Sequence, residues 1–177
     1  MIQSVDWLPA FLEAAGGEAP KRIDGSSCLP VLLGRSRTHA GHVFGVHTTR
    51  GIIQGSACYP IRSIRDHRHK LILNLNHTAR FQCITTESPK GYWPSWVEKA
   101  KIDPAARSVV ERYTRRPEIE FYDLAADPDE LNNVAHKPEH AKTIEALRHS
   151  LAAWMAAQGD QGAGTEMMAK PNAGGEA

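Results

Sequence analysis

The sequence predicts an α+β fold, in which a small antiparallel sheet of about four strands packs against a long C-terminal helix. Two observations predict it. Short apolar and β-branched runs, separated by polar turns, occupy the middle of the chain and are typical of strands. One strongly periodic helical segment follows the last of these runs, and strands covered by one helix are typical of a two-layer α+β domain.

Composition narrows the class of protein. The 177 residues are 41% hydrophobic and 23% charged, which suits one packed domain. The formal net charge of +1 predicts neither a nucleic-acid partner nor a membrane partner. The N-terminus lacks the basic and apolar regions of a signal peptide, and no apolar run is long enough to span a bilayer. Three cysteines without a CxxC pair leave one bridge or three free thiols open: Cys28, Cys58 and Cys83.

The first predicted element is a helix in SVDWLPAFLEAAGG, close to the first residue of the chain. Ser4 or Asp6 is placed to cap this helix, and Gly16 and Gly17 end it. Its apolar residues recur at helical spacing, which predicts a stripe: Val5, Leu8, Phe11, Leu12 and Ala15. The segment DGSSCLPVLLGR follows as a loop with a short apolar turn.

Strands come next. HVFGVHT predicts one strand, and YPIRSIRD and HKLILNLN predict a hairpin that is split at Asp66 and His67. In its second arm, leucines at 71, 73 and 75 alternate with Ile72, Asn74 and Asn76. This period of two predicts one face in the core and one face that is partly wet.

The second half of the chain predicts two small helices, a strand and the covering helix. Pro94 precedes a short helical turn, and the pair Asp103-Pro104 caps and starts the next helix. IEFYDL predicts a strand, and Pro138 opens the most regular helix, which Gly159 ends. The apolar stripe of that helix is Ala141, Ile144, Leu147, Leu151, Trp154 and Met155.

The acidic segment FYDLAADPDELNNVA predicts a structural joint and no metal site. Asp127 and Asp129 alternate as in a calcium loop, but Pro128 separates them and the central glycine of such a loop is missing. We expect the aspartates to form a turn by accepting backbone N–H bonds, and Leu131 and Val134 to return to the core.

Five segments, in the same order, resemble sulfatases. SVDWLPAFLEAAGG with DGSSCLPVLLG resembles the stretch that closes their large N-terminal domain, and Tyr-Asp-Leu, Asp-Pro, Glu and Asn-Asn before a final helix resembles their C-terminal subdomain. The resemblance to the heparan N-sulfatase (sulfamidase, N-sulfoglucosamine sulfohydrolase) branch rests on YPIRSIRDHRHKLILNLN, SWVEKAKIDPAARSVVERY and RRPEIEFYDL. It runs from about Ser4 to Trp154.

This resemblance implies a catalytic apparatus that lies upstream of the matched region. In sulfatases, a formylglycine is made from Cys or Ser in Cys/Ser-x-Pro-x-Arg, and a calcium ion is held by three Asp and one Asn. Cys28 begins a Cys-x-Pro-x run, but Leu32 stands where Arg is required, so Cys28 is interpreted as a small buried residue. We therefore predict no catalytic residue, metal ligand or cofactor in this chain, and expect calcium and formylglycine in an N-terminal domain.

The resemblance also implies a division of the chain. Residues 1–34 are expected to form the end of the sulfatase N-terminal domain and the junction, and residues 35–158 the C-terminal α+β subdomain. Residues 159–177, rich in Gly and Ala, are expected to be a disordered tail. A helix so close to the first residue fits a chain cut inside the enzyme. The family is generally periplasmic, secreted or lysosomal, and without an export signal the localisation stays open.

A candidate binding site lies in GVHTTRGI. Strand ends and the loops after them present polar groups, and a guanidinium group binds oxyanions such as sulfate through its planar fork. In the resembling family, this loop faces the active-site pocket. We expect His47 and Arg50 to bind a sulfated saccharide, with Thr48 in a secondary role. The alternative is an exposed loop without a ligand.

The basic run IRSIRDHRHK has three interpretations: a site for heparan-like polyanions, a nucleic-acid site, or a solvated hairpin. Strand alternation places Arg62 and Arg65 on opposite faces, so the charges form no single stripe and the solvated hairpin is favoured. Arg62 is a candidate for a salt bridge to the N-terminal domain. His67 and His69 lack a third metal ligand and are interpreted as structural.

The predicted function is that of a C-terminal portion of a sulfatase, which hydrolyses sulfuric esters or sulfamates of sugars such as heparan-derived glucosamine. This portion is expected to be inactive alone, with the sulfatase N-terminal catalytic domain and a sulfated saccharide as partners. The alternatives are a non-catalytic polyanion- or sulfated-glycan-binding module, and a bare interaction or remnant domain. The sequence leaves N- and O-sulfate specificity open.

Overall fold

The structure of the chain is a computed structural model that describes residues 1–49, 54–56 and 58–168. Four strands form one antiparallel sheet in which each strand pairs with the next in sequence: β1 (Val43–His47), β2 (Ile61–Arg65), β3 (His69–Asn74) and β4 (Ile119–Asp123). The helices are α1 (Trp7–Ala14), α2 (Leu29–Leu32), α3 (Ile84–Glu87), α4 (Trp93–Ile102), α5 (Pro104–Thr114), α6 (Ala141–Ala157) and α7 (Ala163–Met168). The predicted α+β fold, its hairpin and its long helix are confirmed.

Helix α6 covers one face of the sheet, as its apolar stripe predicts. Ile144, Leu147 and Leu151 pack against a cluster of strand residues made of Ile64, Leu71 and Phe121. A 3-10 turn over Pro138–His140 precedes the helix, and Gly159 follows it with a left-handed φ of 67°. Trp154 of the stripe is half-buried and stacks on Phe44 with 4.7 Å between ring centres.

The second face of the sheet is also buried, so the prediction of a partly wet face is wrong. Ile61, Ile72 and Tyr122 pack there against Tyr59 and Phe81. The reason is that the long connection between β3 and β4 folds back over this face, where the backbone N–H of Phe81 donates to Thr114 O at 2.8 Å. Alternation within β3 reports which residues share a face, but not what covers that face.

Glu120 joins two polar side chains on this second face, Asn74 and Tyr122. Asn74 is fully buried, and its Nδ2 donates to Glu120 Oε1 at 2.7 Å and to Pro117 O at 2.7 Å. Tyr122 donates its hydroxyl proton to Glu120 Oε2 at 2.6 Å. Burial and this carboxylate together raise the pKa of Tyr122. Asn74 is therefore a core residue whose amide nitrogen is hydrogen-bonded, while its Oδ1 is buried without a partner among the described residues.

Helix α1 buries a face other than the predicted apolar stripe. Pro9 and Ala10 are its buried residues, whereas Leu8 and Phe11 are 55% and 64% exposed. The buried carboxylate of Asp6 anchors the start of the segment, because it accepts the N–H groups of Gln3 at 2.8 Å and Ser26 at 3.1 Å. The small residues thus face the rest of the chain, and the large apolar ones are left outside.

The helices before β4 are longer than the predicted short turn. Trp93, which starts α4, is buried, and Trp96 in the same helix is exposed. Asp103 caps α5 as predicted: its Oδ1 accepts the N–H groups of Ala105 at 2.9 Å and Ala106 at 3.4 Å.

The acidic segment after β4 is a hydrogen-bonded turn. Asp127 accepts the N–H of Asn132 at 2.7 Å, and Asn133 ties the turn to β4 by accepting the N–H of Phe121 at 3.0 Å. Val134 packs on the core, as predicted. Leu131 is 53% exposed, so its predicted return to the core is wrong; the core face here is already filled by α6.

The predicted disordered tail is wrong for residues 159–168, which turn back against the sheet and include α7. Residues 169–177 lie outside the described part of the chain. Cys28 is fully buried, as expected, and the described cysteines form no disulfide bridge with one another. Among the described residues, no helix combines the length and the apolar character needed to cross a bilayer.

Leu151 and Leu131 form a matched pair for testing this core. Leu151→Ala removes a fully buried side chain and is expected to lower the free energy of unfolding by about 2–5 kcal/mol, because a cavity remains. Leu131→Ala, at 53% exposure, is expected to change it by about 0.5 kcal/mol or less. Urea unfolding followed by circular dichroism measures both. Similar losses in the two variants would contradict the assigned core.

Candidate functional site

The predicted binding residues lie where β1 ends. His47 is the last residue of this strand and pairs with Ile61 of β2. Thr48 follows and is exposed, whereas Arg50 lies outside the described residues. His47 therefore lies at a strand end, as the sequence predicts, and that strand is an edge of the four-stranded sheet.

The imidazole of His47 is half-buried beside an aromatic ring. Its ring centre is 5.6 Å from that of Phe81, at an angle of 47°. Its Nε2 is buried and has no hydrogen-bond partner within the described ranges. A buried ring nitrogen without a partner is unusual, because the desolvation cost of a polar atom is normally offset by a hydrogen bond.

Arg116 shares the same aromatic residue. Its guanidinium carbon lies 4.7 Å from the centre of the Phe81 ring and 5.6 Å from that of Tyr113, both within cation–π distance. Its Nε is also buried and has no partner among the residues that the structure describes. His47, at the end of β1, and Arg116, in the connection between α5 and β4, thus meet over Phe81.

Sequence reasoning missed Arg116 and Phe81 as site residues. Arg116 lies in RRPEIEFYDL, which carried only the family resemblance, and Phe81 lies in a connection with no regular pattern. Position 116 directly before Pro117 and β4 marks the start of a strand, where a polar side chain is presented at a sheet end. That signal alone does not select His47 as its neighbour.

The electrostatic surroundings keep the imidazole neutral at pH 7. Burial lowers the pKa of His47, and the positive charges of Arg116 and Arg62 lower it further, while the negative charge of Glu166 partly opposes them. A neutral imidazole offers one donor and one acceptor nitrogen. Beside a guanidinium group, this arrangement suits a ligand that combines hydroxyl groups with an anionic group, such as a sulfated sugar.

The basic hairpin is not a free cationic stripe. Arg68 pairs with both carboxylate oxygens of Asp123 at 2.9 and 2.6 Å, and Lys70 pairs with Glu130 at 2.6 Å. His69 lies 3.3 Å from a carboxylate oxygen of Asp66, in agreement with its structural interpretation.

Arg62 corrects a prediction. It was expected to pair with another domain, but it is 3% exposed and binds Asp160 through Nε at 2.5 Å and Nη2 at 3.0 Å. The reason is that its face of β2 points towards the end of α6, where the chain turns back and brings Asp160 to it.

The described residues contain no group of three His, Cys, Asp or Glu side chains arranged to hold a metal ion. Cys28 does not fit a formylglycine site, because it is fully buried and Leu32 occupies the position of the required arginine. The run from Cys58 to Arg62 has the Cys-x-Pro-x-Arg spacing, a match that sequence reasoning missed, and its arginine is 3% exposed and paired with Asp160. The imidazole of His47 and the guanidinium group of Arg116 each offer polar atoms that can bind a ligand.

Comparison with known proteins relates the chain to sulfatases. An ulvan-active sulfatase of Formosa agariphila is 34% identical over 160 residues, which are 90% of this chain and 30% of that protein. The N-sulphoglucosamine sulphohydrolase of Homo sapiens is 26% identical over 164 residues, 85% of this chain and 30% of that protein. No family model matches the chain.

A solved structure has the same fold. It is a protein in complex with its substrate D-glucosamine-2-N,6-O-disulfate, and it matches 88% of this chain and 24% of its own with a TM-score of 0.57 at 24% identity. The chain spans less than a third of the length of these relatives. The resemblance to a C-terminal portion of sulfatases is confirmed, and the heparan N-sulfatase branch is among the relatives, at lower identity than the ulvan-active enzyme.

The electrostatic effect of Arg116 on His47 can be tested by titration. Arg116→Gln removes a positive charge near the imidazole and is expected to raise the pKa of His47 towards its ordinary value. NMR titration of the His47 ring measures this pKa, with His47→Gln to assign the signal.

Arg115→Gln is the matched control, since Arg115 is exposed and is not among the charges acting on His47. Equal effects of the two arginine substitutions would place Arg116 outside the site. The sign for stability follows from a lowered pKa: the contribution of His47 is fully present above pH 6.5 and is lost as the pH falls towards the pKa of the folded state.

Proposed function

Since the chain is homologous to part of the sulfatases over 90% of its length, we propose that it is the C-terminal portion of an enzyme that hydrolyses sulfate groups on sugars. In this proposal, residues 1–34 form the junction with a catalytic domain and residues 35–158 form the subdomain that completes the substrate pocket. In this proposal the reacting groups, formylglycine and calcium, belong to the catalytic domain, because the chain covers only 30% of the length of its sulfatase relatives.

The observation that carries this proposal is an uncovered apolar surface, here called the α1 face. It consists of six large side chains that are 42–64% exposed: Val5, Trp7, Leu8, Phe11, Leu32 and Leu33. A groove of about 440 Å³ continues it, lined by Val5, Val46 and Trp154 among others. Contiguous apolar surface of this kind is typical of an interface.

The catalytic domain is the occupant that fits the α1 face. The relatives continue for more than twice the length that this chain covers, so most of a sulfatase remains to pack against it. The face lies on the segment that resembles the end of the large domain. If one core is divided between this chain and another domain, the chain by itself leaves an apolar side of a helix uncovered.

The second part of the proposal is a binding role for the site over Phe81. His47 and Arg116 contribute a neutral imidazole and a guanidinium group, and Thr48 and Arg50 add the polar groups that the sequence predicts. A relative acts on N-sulphoglucosamine, and a solved neighbour binds D-glucosamine-2-N,6-O-disulfate. We extend this substrate class, a sulfated amino sugar, to the present chain.

The α1 face predicts self-association of the isolated chain. Leu8→Asp combined with Phe11→Asp places charges on this face and is expected to convert associated material into monomer, as measured by multi-angle light scattering. Ile102→Asp is the control, because Ile102 is 82% exposed but lies on α4. A wild-type chain that is already monodisperse and highly stable would argue against a shared interface.

The proposed activity has a genetic and a kinetic test. DNA directly upstream is expected to encode a Cys/Ser-x-Pro-x-Arg sequence, and the 177-residue chain alone is expected to release no sulfate. In the enzyme that contains both parts, His47→Ala should raise KM for D-glucosamine-2-N,6-O-disulfate about 10-fold, the loss of one hydrogen bond to a charged group. His67→Ala, at an exposed histidine of the β2–β3 turn, is the matched control. An unchanged KM in both variants removes the binding role.

A further inference from the structure

The chain that follows α6 returns to the end of β1, where the proposed saccharide-binding residues His47 and Thr48 lie. We propose that Glu166 and Asp160 are positioning residues, which hold His47, Thr49 and Tyr59 in the geometry of the binding site. This inference rests on the proposed function, because it assigns a role in that same site.

Glu166 joins Thr49, two residues after β1, to Tyr59, two residues before β2. It is 3% exposed, and its Oε1 accepts the backbone N–H of Thr49 at 3.2 Å and that of Tyr59 at 3.3 Å. The N–H of Tyr59 is shared with Thr49 Oγ1 at 2.8 Å. One carboxylate oxygen therefore holds the backbones of Thr49 and Tyr59 together, and both residues are buried.

Asp160 acts on His47 through Arg62. The carboxylate of Asp160 binds the guanidinium group of Arg62 in a bidentate manner, and Arg62 Nη1 then donates to the carbonyl oxygen of His47 at 3.3 Å. A bidentate pair fixes the plane of the guanidinium group as well as its position. The backbone of His47 is thereby held from β2 by a side chain that the returning segment orients.

The returning segment, residues 159–168, begins with a turn that two glycines and one hydrogen bond define. Gly159 and Gly162 have positive φ angles of 67° and 64°, and a Cβ at position 162 would lie 2.8 Å from Leu75 Cδ1. Asp160 Oδ1 accepts the N–H of Gly162 at 2.8 Å, so the carboxylate that orients Arg62 also shapes the turn. This turn directs α7, and with it Glu166, towards Thr49 and Tyr59.

The alternative is a purely structural role, in which this segment only covers an edge of the sheet. Such a role predicts a loss of global stability when either carboxylate is altered. A positioning role predicts two local effects in addition: faster exchange at the two amides that Glu166 accepts, and a change in the titration of His47. Among the described residues, the charged groups that act on His47 are Arg116, Arg62 and Glu166, and Glu166 is the anion of these three.

Glu166→Gln in the full chain is the test, because it keeps the shape of the side chain and removes its charge. NMR-detected hydrogen exchange is expected to accelerate about tenfold or more at the amides of Thr49 and Tyr59, with Leu147 and Leu151 of α6 unchanged, since a neutral amide oxygen accepts more weakly than a carboxylate. The pKa of His47 is expected to fall further below its ordinary value, because the opposing negative charge is gone. Glu145→Gln, on the exposed side of α6, is the matched control and should change neither quantity.

Glu166→Asp guards against a folding defect, since it keeps the charge and shortens the reach by one methylene group. It is expected to accelerate exchange at Thr49 and Tyr59 and to leave the pKa of His47 closer to that of the wild type than Glu166→Gln does. Unchanged exchange at these two amides in Glu166→Gln would overturn the proposal, and so would an unchanged His47 titration. A failure of the proposed function shows separately, as an unaltered KM of His47→Ala in the complete enzyme.

Discussion

The position of Phe81 on the second face of the sheet is the constraint on which both core and candidate site depend. Phe81 is 5% exposed and packs with Tyr59, Ile61, Ile72 and Tyr122. The ring of Phe81 contacts the imidazole of His47 and also the guanidinium group of Arg116. Because a sheet with one uncovered face would leave Ile72 and Asn74 in water, the connection that brings Phe81 closes the core and at the same time builds the floor of the site.

The described residues include a buried ion pair that links β2 to the segment after α6. Arg62 and Asp160 pair inside the protein, and this guanidinium group, by hydrogen bonding, lowers the pKa of the Asp160 carboxyl below its ordinary value of 3.8. The stabilising contribution of that carboxyl is therefore present above about pH 4 and is lost as the pH falls through the folded-state pKa. A buried pair of this kind contributes little net stability compared with an apolar pair, but removing one partner is costly, so it favours one arrangement of the returning segment.

The α1 face and the site over Phe81 describe a unit whose surface is divided between two tasks. Its apolar part, on residues 5–33, is suited to another protein surface, and its polar part, at the end of β1, is suited to a charged sugar. In the proposed enzyme, this unit packs its apolar part on a larger domain and completes the pocket of that domain from the side. The matched region is 30% of the length of the ulvan-active relative.

The sequence by itself determined the elements whose patterns are local. The β2–β3 hairpin, β4, α6 and the Asp103 cap followed from spacing and capping chemistry, and the sulfatase resemblance and the place of His47 followed from short motifs. Only the tertiary structure decided which surfaces are covered and which distant groups meet. It left Leu8, Phe11 and Leu131 exposed, buried both faces of β3, ordered residues 159–168 and brought Arg116 to His47. The physical reason is range: periodicity reports a face of one element, whereas the partner of Arg62 lies 98 positions further along the chain and is set by how the layers stack.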